Sequence, residues 1–124
     1  MNSPKRVLLV EDFEDSRTGL SRLLQSEGYE VLEAADGAQA IQLAIGSRPD
    51  IILMDLSLPI IDGVTATRRI KENEDMRSVP IVALTAHEEE DVGQRIESVG
   101  YVDFLTKPVN FSVLVALLAK HLAK

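Results

Sequence analysis

Asp55 closes the most apolar stretch of this chain, Ile51-Ile52-Leu53-Met54-Asp55-Leu56-Ser57-Leu58-Pro59-Ile60-Ile61. Ionised carboxylates are almost never buried unless something pairs with them. An acid at the end of an Ile-Ile-Leu-Met run is therefore aimed at a partner, which is a cation, a catalytic lysine or a metal. The chain offers candidates for each. Glu11-Asp12 follow one short apolar run, Thr85 ends another, and Thr106-Lys107-Pro108 follow a third. Three acids held close together repel unless a cation joins them. Carboxylate oxygens with no His or Cys suit Mg²⁺, with Mn²⁺ as an alternative. Mg²⁺ takes one or two carboxylates, keeps several waters and is completed by phosphate oxygens. Lys107 supplies a point charge for phosphate, and Thr85 a donor for a phosphoryl oxygen. A carboxylate can itself be the nucleophile that takes the phosphoryl group. Such a transfer depends mostly on positioning and charge neutralisation.

These residues meet only if the fold gathers the ends of the apolar runs. Arg6 to Val10 reads as a strand, Glu14 to Glu27 as a helix stopped by Gly28, and Glu30 to Ala34 as a half-polar strand. Ala38 to Ile45 reads as a short helix ended by Gly46 and Pro49, and Ile51 to Met54 as a buried third strand. Asp62-Gly63 make a turn, with Asp62 capping a helix from Val64 to about Asn73. Ile81 to Leu84 is a fourth strand, Glu88 to Val99 a fourth helix, and Val102 to Leu105 a fifth strand. Asn110 caps a last helix that runs to about His121. The alternation is (βα)5, an α/β doubly wound parallel five-stranded sheet with helices on both faces. In such a sheet the site lies beyond the carboxyl ends of the strands. Glu11, Asp12, Asp55, Thr85 and Lys107 all stand there, whereas Asp36-Gly37 after the second strand looks like a turn.

Composition narrows the partners. The 124 residues fit one domain with one core. A net charge of −7 argues against nucleic acid or an anionic membrane as a direct ligand and fits a basic partner or a divalent cation. The lack of cysteine excludes disulfides and thiolate metal sites and is compatible with a cytoplasmic location. Val7 to Val10 is too short for a signal peptide, and no uncharged stretch reaches the ~18 residues that span a bilayer.

The spacing of Glu11-Asp12, Asp55, Leu58-Pro59, Asp62-Gly63, Thr85-Ala86 and Lys107-Pro108 resembles the receiver domain of two-component response regulators, the CheY-like family. The resemblance covers essentially the whole chain, residues 1–124, as a single receiver domain. It implies a flavodoxin-like strand order 2-1-3-4-5. It implies that Asp55 is the phosphoacceptor. Asp12 and Asp55 then bind Mg²⁺ directly, with the Ser57 backbone carbonyl as a third ligand and Glu11 assisting through water. Thr85 resembles the switch hydroxyl, Lys107 the lysine that pairs with Asp55 and then with the phosphoryl group, and Phe104 the switch aromatic, here Phe where Tyr is common. The Lys107-Pro108 bond is expected to be cis. Tyr101 follows Gly100 where the family usually has a small residue. The implied donor is a histidine kinase or a histidine phosphotransfer protein. The implied output is a target protein or a second copy, bound through the fourth helix, fifth strand and fifth helix. Met1 and the end just after the fifth helix lean toward a stand-alone regulator rather than a piece of a larger protein.

Other readings compete. A dehalogenase-type phosphatase also uses Asp, Mg²⁺ and Lys, but needs a second Asp where Ser57 stands. A flavin carrier needs a phosphate loop after the first strand, where Glu11-Asp12 would repel it. A pure interaction module would lack Asp55 or Lys107. In the last helix, Phe111, Leu114, Val115, Leu118 and Leu122 form the expected core stripe. Val113 and Leu117 fall outside it and, with the Gly93 to Glu97 surface, are expected to form the output contact. His121 suits the dipole of the last helical turn. His87 lies at the site rim, either modulating it or simply exposed, and Glu88-Glu89-Glu90 suits a solvated first helical turn.

Overall fold

A computed structural model describes residues 3–86 and 99–122. The expected fourth helix, with His87 and the Gly93 to Glu97 surface, therefore lies almost wholly outside the described residues. The elements are β1 (Arg6–Val10), α1 (Glu14–Ser26), β2 (Glu30–Ala34), α2 (Gly37–Ser47), β3 (Ile51–Asp55), α3 (Gly63–Glu72), β4 (Ile81–Thr85), β5 (Asp103–Thr106) and a C-terminal helix (Phe111–Leu122). A short 3₁₀ turn, Glu74–Met76, follows α3.

The five strands form one sheet in the order β2-β1-β3-β4-β5. All four pairings are parallel. The α/β class expected from the alternation of elements and the 2-1-3-4-5 order implied by the resemblance are thus found. β3 is central, and all five of its residues are buried. Alternate strand residues face opposite layers, as the two-residue repeat of a strand demands. Leu8, Val10, Ile52, Met54, Ile81 and Ala83 pack with Ala40, Ala44, Ala66 and Ile70 of α2 and α3. Val7, Leu9, Ile51, Leu53, Val82 and Leu84 pack with Leu24 of α1 and with Leu114, Leu117 and Leu118 of the C-terminal helix. Burying one Ile or Leu side chain contributes roughly 1.5–3 kcal/mol, so the two-sided apolar β3 fixes where Asp55 ends up.

Register finishes the positioning. Val10 pairs with Met54, Asp55 with Leu84, and Thr85 with Thr106. Glu11 and Asp55 therefore end at one level, with Thr85 one step beyond and Lys107 two.

Several boundaries differ from the sequence reading. Asp55 and Thr85 belong to their strands, because the ladder continues through them. Gly46 lies inside α2, and the helix ends instead at Arg48, which takes a left-handed φ of 50°. β5 begins at Asp103, one residue late. Both predicted caps are present: Asp62 accepts from the Thr65 N–H and Asn110 from the Val113 N–H. Leu117 corrects the expected output surface. It is buried in the core, and only Val113 of that pair is exposed. The core face of the C-terminal helix is displaced toward Leu117 relative to the stripe read from the sequence, with Val115 only half-buried.

Candidate active site: an acidic cluster bridged by a lysine

Asp55, Glu11 and Thr85 are buried polar residues at three neighbouring strand ends, with exposures of 2%, 2% and 4%. Lys107, past the end of β5, closes the group. Its Nζ lies 2.7 Å from Asp55 Oδ2 and 2.9 Å from Glu11 Oε1. The other Asp55 oxygen, Oδ1, accepts from the Ser57 N–H at 2.9 Å. The Lys107 N–H donates to the Thr85 carbonyl at 2.8 Å, which anchors the loop that carries the ammonium. The Lys107-Pro108 peptide is cis, as the resemblance implied.

One carboxylate oxygen from each of Glu11, Asp12 and Asp55 lies within 4.8 Å of the other two. Asp12 is the exposed member. An oxygen-only set with two buried carboxylates fits a hard divalent cation. The electrostatics agree. Burial pushes the Glu11 carboxyl above its usual range, and its hydrogen bond to Asp55 raises it further, against the lowering effect of Lys107. Burial alone would lower the Lys107 ammonium, but hydrogen bonds to Asp55 and Glu11 outweigh it and the net shift is upward. Three carboxylates thus cluster around one lysine.

The structure brings together every residue expected at the site on strand-end grounds: Glu11, Asp12, Asp55, Thr85 and Lys107. Ser57 joins through its backbone. Phe104 stands apart on edge strand β5, 38% exposed. The site also includes a residue the sequence reading did not place there. Arg17 Nη1 donates to the Glu11 carbonyl at 2.9 Å, while its Nε pairs with Glu33 of β2 at 3.3 Å. The signal available was modest: an arginine on the first turns of the helix that follows an acid pair. A cleft of about 450 Å³ opens beside the cluster, lined by Glu11, Ser16, Leu20, Lys107, Pro108 and Val109. Phe13 and Ile60, 60% and 79% exposed, flank the site on the loops after β1 and β3. Ile60 has a φ of 69°, the centre of a tight turn in which the Ile61 N–H donates to the Pro59 carbonyl.

Comparison with known proteins places this geometry. The family pattern of the response regulator receiver domain matches residues 7–119. The polar-differentiation response regulator DivK of Brucella anthropi is 32% identical over 119 residues, which is 96% of this chain and 97% of that protein. Among solved structures, the receiver domain of the sensor histidine kinase PA1611 from Pseudomonas aeruginosa is 39% identical, with a TM-score of 0.90 over 98% of this chain and 99% of that one. That structure carries a magnesium ion in its active-site cleft. The chemotaxis protein CheY4 of Vibrio cholerae is 32% identical, with a TM-score of 0.89 over 94% of this chain and 98% of that one.

Proposed function

This chain belongs to the response regulator receiver domain family, and we propose that it works as a phosphorylation-activated switch in a two-component phosphorelay. Asp55 accepts a phosphoryl group from a phosphohistidine of a histidine kinase or histidine phosphotransfer protein. A carboxylate oxygen of Asp55 forms the new bond to phosphorus. The bond from phosphorus to the donor imidazole breaks, and the imidazole leaves with the electron pair.

The observation that carries this reading is the setting of Asp55. It is a buried carboxylate held at one oxygen by an ammonium and at the other by a backbone N–H, beside two further acids. Asp12, Asp55 and the Ser57 backbone carbonyl would hold Mg²⁺, or Mn²⁺, with Glu11 assisting through water. The ion supplies charge neutralisation for the transferring group. Lys107 exchanges its carboxylate partner for a phosphoryl oxygen. The Thr85 hydroxyl moves toward the same group, and Phe104 turns inward from the edge strand. The chain promotes its own phosphoryl transfer and hydrolysis without being a turnover enzyme.

The output is a change in the surface formed by the expected fourth helix, β5 and the C-terminal helix. Exposed Val102, Phe104 and Val113 suit a protein target or a second copy. The net charge of −7 disfavours direct contact with nucleic acid or an anionic membrane. Among the described residues no helix is long and apolar enough to cross a membrane. We place the chain in the cytoplasm, as a single receiver domain over residues 1–124.

The test is transfer from a labelled phosphohistidine protein. Label should pass to the wild type only with Mg²⁺ or Mn²⁺ present and should not pass to Asp55→Asn. Equal labelling of Asp55→Asn contradicts the reading.

A further inference from the structure

Tyr101 lies in the turn into β5 and is buried, at 6% exposure. Its hydroxyl makes two hydrogen bonds, both to α3. It accepts from Thr67 Oγ1 at 2.9 Å and donates to the Gly63 carbonyl oxygen at 3.2 Å. Thr67 is fully buried. A helical threonine can turn its hydroxyl back to the carbonyl four residues earlier, here Gly63. The Tyr101 hydroxyl is interposed between the two.

Gly63 is no ordinary helix start. A Cβ there would lie 2.2 Å from the Asp55 carbonyl oxygen and 2.8 Å from the Leu56 Cα. The Gly63 N–H donates to the Leu56 carbonyl at 3.2 Å. The first residue of α3 is thus pressed against the backbone of Asp55 and Leu56, and the peptide that follows it is held by Tyr101. On the other side, the Val102 N–H donates to the Ile81 carbonyl at 3.0 Å, which ties the Tyr101 turn to the start of β4.

We infer that Tyr101 is a positioning residue for the phosphoacceptor: through its hydroxyl it seats Gly63, and through Gly63 it seats the backbone of Asp55. The inference rests on the reading of Asp55 given above. It joins the chain just after the fourth-helix segment to the reacting carboxylate by a route separate from Thr85 and Phe104. A shift of the Tyr101 turn then alters how readily Asp55 reacts.

The test compares wild type, Tyr101→Phe, Thr67→Val and the double variant, with a small phosphodonor and saturating Mg²⁺. Melting temperature is measured alongside the rate of phosphorylation. Tyr101→Phe should phosphorylate roughly three- to tenfold more slowly with less than a twofold change in apparent Mg²⁺ affinity. The double variant should be no slower than Tyr101→Phe, because both changes cut one chain of hydrogen bonds. A Tyr101→Phe protein that melts lower yet phosphorylates at the wild-type rate overturns the inference, since the hydroxyl then serves stability alone. Should a variant fail to fold, NMR on the wild type decides. A phosphoryl mimic on Asp55 should shift the Tyr101 ring and the Gly63 and Thr67 amides together, and unshifted signals refute the link. Failure of the wild type itself to label at Asp55 sinks the phosphoacceptor reading instead.

Discussion

Lys107 and Asp55 are 52 residues apart in the chain and 2.7 Å apart in the fold. β4 lies between their strands, so the ammonium crosses the end of β4, where Thr85 stands. Lys107 also holds Glu11, and one flexible cation thus joins the ends of β1, β3 and β5. A group added at Asp55 Oδ2 would displace this pairing. Under the proposed function, that displacement would start the signal that leaves the site.

The three carboxylates gathered around one lysine predict metal binding. Mg²⁺ at about ten times its Kd should add about 1.4 kcal/mol by mass action, and raise Tm by roughly 5 °C for a domain of this size. Asp12→Ala should remove most of that gain. Calorimetric melting with and without Mg²⁺ checks it, and equal shifts in wild type and Asp12→Ala contradict the assigned cluster.

The strand ends of this site were legible in the sequence because two independent patterns agreed. Apolar runs located the strands, and an acid, hydroxyl or lysine stood at the end of four of them. Helix limits were less legible. Arg48 ends α2 in a left-handed conformation that glycine usually supplies, so Gly46 was the misleading cue. Which face of the C-terminal helix meets the core, and so the burial of Leu117, depends on its tertiary neighbours as well as on the helix's own periodicity. The roles of Arg17 and Tyr101 depend on partners far away in the chain. Glu33 and Thr67 become their neighbours only after folding.

Leu117 and Val113 separate core from surface. Leu117→Glu buries an unpaired charge and should cost at least about 3 kcal/mol, whereas Val113→Glu should stay within about 0.5 kcal/mol of wild type. Urea unfolding measures both. A silent Leu117→Glu would return that residue to the output surface.

Burial pushes the Tyr101 hydroxyl up to about 12. An unfolded tyrosine ionises near pH 10. The folded state holds the proton more tightly, so its stabilising contribution is intact below about pH 10 and is lost as pH rises toward 12. The loss attributable to this group is on the order of 2–3 kcal/mol. Stability measured from pH 8 to 11.5 should therefore fall more steeply in wild type than in Tyr101→Phe. Parallel curves would show that the hydroxyl is not held as the structure places it.

Locating the phosphoryl group tests the central claim most directly. The chain, treated with a small phosphodonor and Mg²⁺, is digested under conditions that keep an acyl phosphate intact, and the modified peptide is identified by mass spectrometry. The account predicts one base-labile phosphoryl group on Asp55, absent from Asp55→Asn. A label on Ser57, Thr85 or Asp12 in the wild type, with Asp55 unmodified, would contradict it.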